Sequence, residues 1–416
     1  MNFWFASQSH EPLPGVDKGQ RAWRLGLVGE ELVRQGHSVT WWTSDFWHLT
    51  KQHRYGKYQS LTPQEGWRFN LIPSKGYQKN FSFARMRHNR HLADEFSKLA
   101  EQEEPPDLIL TPLPAPEVTA AATGYGIRHG VPVVLDLRDL WPLAIVEMFP
   151  RLIRPFVRLL LFRMEKEVRQ SCREARAITA MSAEFVAWGA RKAGRSIEAD
   201  DRVFRHAYLE RSLKGEESSK IAMNLKFLDR RFVVAFVGTL GASVEFGPVI
   251  DAAKNLEKIA PEVLLMIVGD GPKYKQLYRQ ASGVNNMHWT GRIGNDEVSA
   301  ILQTSHAGLV PYRSTFNLRM GVPNKIGEYL AAGLPVINGL SGCVERLITK
   351  YGTGVNYPIN DADALAKCIN ELQKDRSRCQ QMSQAAKELY QREFKAESVY
   401  REFAAHLVHM AQGQTN

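Results

Sequence analysis

Short apolar runs recur along the chain with room for one helix between each pair. NFWFAS lies at the start, VTWWTS at 39–44, PDLILT at 106–111 and VPVVLDL at 131–137. The stretches between them, such as the one closing on LVRQGHS, repeat their apolar residues every three to four positions. Strand-length runs alternating with helical periods predict βαβ units on a parallel sheet. The pattern restarts after about residue 200 with RFVVAFVGTLG, VLLMIVGDGP, MHWTG, HAGLVPY, LPVIN and GTGVNY, each followed by a helical segment. Two doubly wound α/β domains are therefore expected, over 1–200 and 201–390. The remainder, 391–416, contains EFKAESVYREFAAHLVHMA, an amphipathic helix pattern able to pack back on the first domain. The polar, aperiodic stretch 192–220 is where a linker belongs.

Bulk properties narrow the class. A chain of 416 residues exceeds one ordinary core and fits two. Its 44% hydrophobic and 24% charged residues are those of a soluble globular protein, and no apolar run is long enough to span a membrane. The start MNFWFASQSHEPLPG reads as a first buried strand rather than a secretory leader, so a cytoplasmic location is expected. Cys172, Cys343, Cys368 and Cys379 lack metal-ligand spacing, which predicts reduced thiols, no metal and no cofactor. The net charge of +10 favours an anionic partner: nucleic acid, a phosphorylated metabolite or a membrane surface. No nucleic-acid recognition module is visible, and none is expected.

Ligands of open parallel sheets sit beyond the carboxyl ends of the strands, so the loops there carry the candidate chemistry. FVGTLGAS places Gly238 and Gly241 after a buried strand, as a phosphate-holding turn or a plain βα turn. Gly269, Asp270 and Gly271 in IVGDGP read as a structural turn. GVPNKIGEYLAAGLPVIN predicts a helix capped by Asn324 or a neighbour and stopped at Gly333 and Pro335. Lys325 stands in its first turn, where the helix already carries partial positive charge, and Arg313 and Arg319 precede it. Three cations at one helix start predict an anionic ligand.

PNKIGEYLAAGLPVI, supported by FVGTLG, LLMIVGDGP, HWTGRIGNDEV and GTGVNYPINDADALAKCI, resembles the retaining, nucleotide-sugar-dependent glycosyltransferases of the GT-B class, family-4 group. The first half is looser: KGQRAWRLGLVGEELVRQGHSVTWWTS is similar to the opening of these enzymes. PVVLDLRDLWP is similar to the subgroup that builds bacterial O-antigen and capsule, including fucosamine transferases. The resemblance implies two Rossmann-like domains facing each other across a cleft. It implies that Gly238 and Gly241 line the donor diphosphate, Lys325 and Arg313 offset its charge, Asn324 lies alongside, Glu328 accepts from the ribose and Arg292 meets the base. On the acceptor side it implies Gly15, Gly19 and Arg138, with Asp139 positioning the acceptor or polarising the reaction centre; capping the next helix is the structural alternative for Asp139. Met320 stands where the family often has a glutamate to the transferred sugar, which points to a less polar donor such as a deoxy or N-acetylated sugar. His10, His88 and His91 read as surface or satisfied histidines.

The resemblance implies transfer of a sugar from a nucleotide donor to a lipid-linked or lipopolysaccharide/capsule acceptor.

 Its donor is a UDP-sugar, and transfer proceeds with retention, the acceptor hydroxyl attacking the face from which the diphosphate departs and the leaving group taking its proton. Alternatives on the same fold are a nonhydrolysing nucleotide-sugar epimerase and a catalytically degenerate sugar-nucleotide-binding subunit. Finally, 151–176 spaces its Arg and Lys residues at helical intervals among Leu, Phe and Val. This predicts one basic amphipathic helix, either lying on an anionic membrane, peripheral on the inner face, or packed in the core with a solvated edge. KGYQKNFSFARMRHNRH adds cations and aromatics suited to a pyrophosphate-linked lipid.

Overall fold

The computed structural model describes residues 1–8, 10–210, 228 and 230–413. The chain forms two units, Met1–Arg205 with Ser398–Asn416, and His206–Glu397. Part of the expected linker, 211–220, lies outside the described residues, whereas Arg202–Val203, within the same stretch, is a strand.

The first unit is built on an eight-stranded sheet. Its strands are β1 (Asn2–Ala6), β2 (Ser38–Ser44), β5 (Gln59–Leu61), β6 (Trp67–Ile72), β7 (Leu108–Leu113), β8 (Val133–Leu137), β9 (Ala177–Ala180) and β10 (Arg202–Val203); β3 (Phe46–Trp47) and β4 (Gln52–His53) pair separately as a small ribbon. The order is β10-β9-β8-β7-β1-β2-β6-β5, parallel except for β5 at the edge. Because successive strand residues face opposite sides, the FWF and WW runs supply aromatics to both layers. On one face Trp4 meets Trp42 at 5.4 Å and Tyr125 at 5.2 Å; on the other, Trp41 meets Phe69 at 5.9 Å and Phe5 at 5.9 Å. The Ala396–Gln412 helix completes this unit: Phe403 stacks on Phe204 at 4.4 Å, and the Arg24 guanidinium lies 4.9 Å from the Phe403 ring.

The expected single helix over 151–176 is three pieces: a 3-10 turn at Arg151–Ile153 and helices at Arg154–Leu160 and Phe162–Glu174. Leu161 stands at the break, its side chain buried with Trp141, Val146 and Met164. Beyond it Met164, Val168 and Cys172 face the core and the basic residues face out. Before it the apolar residues face out as well: Leu152 is 89% exposed, Phe156 and Leu159 74%, and Leu160 61%. No helix among the described residues is long and apolar enough to cross a membrane.

The second unit has six strands, all parallel: β11 (Phe232–Val237), β12 (Val263–Val268), β13 (Met287–Gly291), β14 (Ala307–Val310), β15 (Val336–Asn338) and β16 (Gly354–Asn356), in the order β13-β12-β11-β14-β15-β16. Both faces of β11 are covered, which explains its unbroken apolar run. Phe232, Val234 and Phe236 pack with Val249, Leu256, Leu365 and Ile369 on one side; Val233, Ala235 and Val237 pack with Ile326, Tyr329, Leu330 and Leu389 on the other. The chain winds outward from β11 to β13 and returns to lay β14 against the other edge of β11. The crevice of this sheet therefore opens at the carboxyl ends of β11 and β14.

Candidate functional site

The loops leaving β11 and β14 are knitted together at that crevice. Val244 and Tyr312 form an antiparallel bridge, the Glu245 amide donates to the Pro311 carbonyl at 2.8 Å, and the Arg313 amide donates to the Ser243 carbonyl at 2.9 Å. Arg313 Nε also pairs with Glu245 Oε2 at 2.6 Å, at a half-exposed position. Gly238 begins the β11 loop, and a Cβ built there would sit 3.8 Å from Lys325 Cε. The loop is longer than the sequence suggests, since the next helix starts at Gly247 rather than soon after Gly241. The amides of Gly238 and Gly241 donate to Val268 and Thr239 carbonyls, so these glycines contribute close approach of the backbone rather than two free donors.

Gly269 and Gly271 hold the neighbouring loop against this one. Their φ angles are 134° and 156°, and a Cβ on Gly269 would fall 1.9 Å from the Gly238 carbonyl oxygen. Only glycine meets both demands. One strand further out, Gly291 accepts from the Gly269 amide, and exposed Arg292 follows it.

The Asn324–Ala331 helix supplies the charged pair. Its N-cap is Pro323, with no side-chain cap, so Asn324 is the exposed first residue of the helix and not its cap. Pro at this position presets the turn without occupying the helix's first N–H groups. Lys325 Nζ donates to Glu328 Oε2 at 2.7 Å, with Glu328 buried and Lys325 half-buried. The helix is anchored by the next residue: Tyr329 Oη accepts from the Val237 amide at 3.0 Å and donates to the Leu309 carbonyl at 3.2 Å, tying it to β11 and β14 together. Burial, and then the Glu328 charge, push the Tyr312 phenol up to about 12, leaving it a neutral neighbour of the carboxylate. The geometry thus brings Gly238, Lys325 and Glu328 together, with Gly241 and Arg313 on the knitted loops, Asn324 beside Lys325 and Arg292 two loops away.

In the first unit, Arg138 follows β8 and is held by Glu11 and by Asp136 Oδ2, the latter at 2.7 Å. Asp136 also takes both Arg24 Nε and Nη2 at 2.8 Å and Thr179 Oγ1 at 3.0 Å. Burial opposes the Asp136 charge, but Arg24 and Arg138 prevail and hold its carboxyl well below the usual range. This network, with Arg24 and Glu11, was missed by motif reading; the available signal was an aspartate inside the otherwise apolar run VVLDL. Asp139 is half-buried and close enough to act electrostatically on Arg85. The following helix starts at Leu143, with Pro142 as its N-cap. Gly15 and Gly19, both at φ 74°, flank a turn fastened by an Asp17–Arg54 ion pair at 2.7 Å. Among the histidines, His88 is buried against Ser74 Oγ at 2.6 Å, whereas His10 joins a cluster with His48 and Arg85.

The family comparison falls on the second unit. Residues 218–389 match the family described as glycosyl transferases group 1. The matched residues contain all six strands of the second sheet and the Lys325–Glu328 pair. The chain is similar to the D-rhamnosyltransferase WbpZ of Pseudomonas aeruginosa, with 28% identity over 135 residues, 32% of this chain and 35% of that protein. The match thus spans about a third of that relative's length. Two solved structures are similar over nearly the whole chain. HepE of Anabaena, in complex with UDP-glucose, has a TM-score of 0.63 at 17% identity, covering 98% of this chain and 100% of that one. WaaG, a glycosyltransferase involved in lipopolysaccharide biosynthesis, has a TM-score of 0.66 at 13% identity, covering 98% and 99%. At such identities the likeness is one of fold, the GT-B fold of two Rossmann-like units.

Proposed function

We propose that the protein is a glycosyltransferase that moves a sugar from a UDP-linked donor, with retention, to a lipid-linked or lipopolysaccharide/capsule acceptor. The observation that carries this reading is the Lys325–Glu328 pair at the β11/β14 crevice, with the Lys325 stem against Gly238. An anion entering there meets a lysine at a helix start whose N–H groups have no side-chain cap. The neighbouring carboxylate accepts from ribose hydroxyls, as a buried Glu beside a polar ligand does. As the sugar–diphosphate bond breaks, charge grows on the diphosphate and Lys325 stabilises it. The acceptor oxygen forms its bond to the anomeric carbon on the same face, and its proton passes to the departing diphosphate oxygen. Asp139 and Arg138 belong to the acceptor side of this reading, and the UDP-glucose bound by HepE supports the donor class.

Met320 favours a donor sugar with fewer hydroxyls, and the rhamnosyl specificity in the name of WbpZ, a deoxy sugar, agrees with that chemistry. The same residue supports a second reading, a sugar-nucleotide-binding subunit without turnover. The exposed apolar segment at Leu152–Leu160, flanked by Arg151, Arg158 and Arg163, supports peripheral attachment to an anionic membrane.

Nucleoside diphosphate release, measured across a panel of UDP-sugars with lipid-linked acceptors, tests the reading. Release that depends on acceptor, and is lost in Lys325→Ala while Tm is unchanged, is the expected result. UDP binding with no release for any pair would favour the non-catalytic subunit, and no nucleotide binding would overturn both.

A further inference from the structure

The first unit gathers positive charge at a second place. Gln8 and His10 follow β1, His48 and Lys51 follow β3, and Arg85 lies in the first turn of the Phe83–Ala100 helix. Arg85 is 5% exposed; its Nη2 donates to Gln8 Oε1 at 3.3 Å and to His10 Nε2 at 3.4 Å, and its Nη1 to the Asn80 carbonyl at 2.8 Å. Lys51 Nζ is 3.1 Å from His48 Nδ1 and 2.7 Å from Asn80 Oδ1, and the His10 and His48 rings meet at 4.0 Å. Lys51 can only donate, so Nδ1 of His48 accepts from it, with Tyr77 Oη also 2.5 Å away, and the proton of the neutral ring sits on Nε2, a further donor.

Burial comes first in pushing both imidazoles down, followed by the cations for His48, to about 3, and by His48 and then the cations for His10, well below its ordinary value. The charged groups acting on His10 are Arg85, Lys51 and Arg138, with no carboxylate among them. Asp139 and Glu117 act on Arg85, and Arg138 is already matched by Glu11 and Asp136. Two buried donors in the cluster, Gln8 Nε2 and Arg85 Nε, meet no acceptor among the described residues. A buried donor left unpaired forfeits its hydration with nothing in return, so such a cluster suits a partner that supplies acceptors. Cations in excess, neutral imidazole donors and orphan N–H groups complement a group with several charged oxygens. The cluster also lies at the carboxyl end of β1, which sits between β2 and β7 where the strand order of this sheet reverses, the place where such sheets bind ligands.

We propose that Gln8, His10, His48, Lys51 and Arg85 bind a phosphate or diphosphate group carried by the acceptor. This deepens the glycosyltransferase reading and rests on it for the word acceptor. The site takes phosphoryl oxygens whether they come from a lipid-linked diphosphate or from a soluble phosphorylated sugar.

Calorimetric titration of the full chain with inorganic pyrophosphate, in saturating UDP, isolates this site from the donor site. Binding should persist under UDP and weaken about tenfold or more in Lys51→Gln and in Arg85→Gln, with UDP affinity and Tm unchanged. Lys51→Gln keeps the test decisive if Arg85→Gln fails to fold, because Lys51 is only half-buried. Geranyl diphosphate binding more tightly than pyrophosphate supports the site with a lipid source; glucose 6-phosphate binding more tightly supports it with a soluble one. Loss of pyrophosphate binding under UDP, equal affinity in Lys51→Gln, or preference for glucuronate over every phosphorylated probe would overturn the proposal and leave the donor reading standing. Failure of UDP to bind would sink the donor reading instead; pyrophosphate affinity in Lys51→Gln against Lys325→Ala then decides the site.

Discussion

Lys325 and Glu328 are one turn apart and neutralise each other at 2.7 Å, so on the proposed reading a nucleotide diphosphate would have to compete with the carboxylate for the ammonium. Lys325→Ala should chiefly lower kcat, because the charge it meets grows during bond breaking; a charge-assisted hydrogen bond of about 1.5–3 kcal/mol corresponds to a roughly 10- to 150-fold loss. Glu328→Gln should chiefly raise the donor KM. Since each variant also releases the other side chain, the UDP affinities of the single and double variants should fail to add, which a double-mutant cycle reads directly. Additive affinities would mean that the pair does not act as a unit. Gly269→Ala belongs at this scale too: a Cβ 1.9 Å from the Gly238 oxygen, at φ 134°, should lower stability by on the order of 3 kcal/mol and weaken UDP binding as the Gly238 loop shifts. An unchanged Tm would contradict the close approach. Of these residues the sequence made Lys325 and the glycines stand out locally, as a cation at a helix start and glycines after buried strands, whereas the role of Glu328 came only with the resemblance. His10 was read as a surface or satisfied histidine, because nothing in its neighbourhood along the chain announces Arg85, which is 75 positions away.

The helix Pro116–His129 carries a buried glutamate in its first turn. Burial, with help from the Glu167 charge, pushes Glu117 from 4.5 up to about 7, against its backbone hydrogen bond and the Asn89 amide. A carboxyl whose folded value is raised favours the folded state below its unfolded value, and that contribution fades as pH rises through about 7. About 3 kcal/mol should be lost from pH 4.5 to above 7. Glu117→Gln, neutral throughout, should lack this fall; parallel declines in Tm for both proteins would dismiss it. The second element with a forecast is the segment before Leu161. Phe156, Leu159 and Leu160 changed together to Ser should reduce sedimentation with phosphatidylglycerol vesicles at least tenfold, and wild-type binding should survive 0.5 M salt in part, because apolar burial is not screened. Arg151, Arg158 and Arg163 changed to Gln should remove the salt-sensitive part, at about 1 kcal/mol each. Arg154 is left in place, since it donates to the Phe149 carbonyl at 3.0 Å and the Glu147 carbonyl at 3.2 Å. Vesicle binding unaltered in both variants would end the membrane assignment. Helical periodicity found the segment but not its break, because the inward turn of Leu161 depends not only on Met164 but on Trp141 and Val146, which lie outside the window.

At the scale of the molecule, the alternation of apolar runs and helical periods was enough for two doubly wound units, since every strand of the second sheet coincides with a run visible in the sequence. Less legible was the path of the chain, which leaves the first unit after Arg205 and re-enters it at Ser398. The second unit is thus an insertion in the first, and its ends, His206 and Glu397, are held close by the parallel bridge between Tyr208 and Lys395. A chain ending at residue 395 should keep the second unit's UDP binding and lose several degrees of Tm in the first, because Phe204 and Arg24 lose Phe403. Equal melting of the truncated and full chains would contradict that packing. The same path sets a timetable on the ribosome. Domains ordinarily fold in the order in which they emerge. Here the later-emerging sheet has all its parts while the earlier one still waits for its last helix, so the first unit spends the synthesis of some 190 residues with Phe204 unclad, and the nascent chain closes its middle before its beginning.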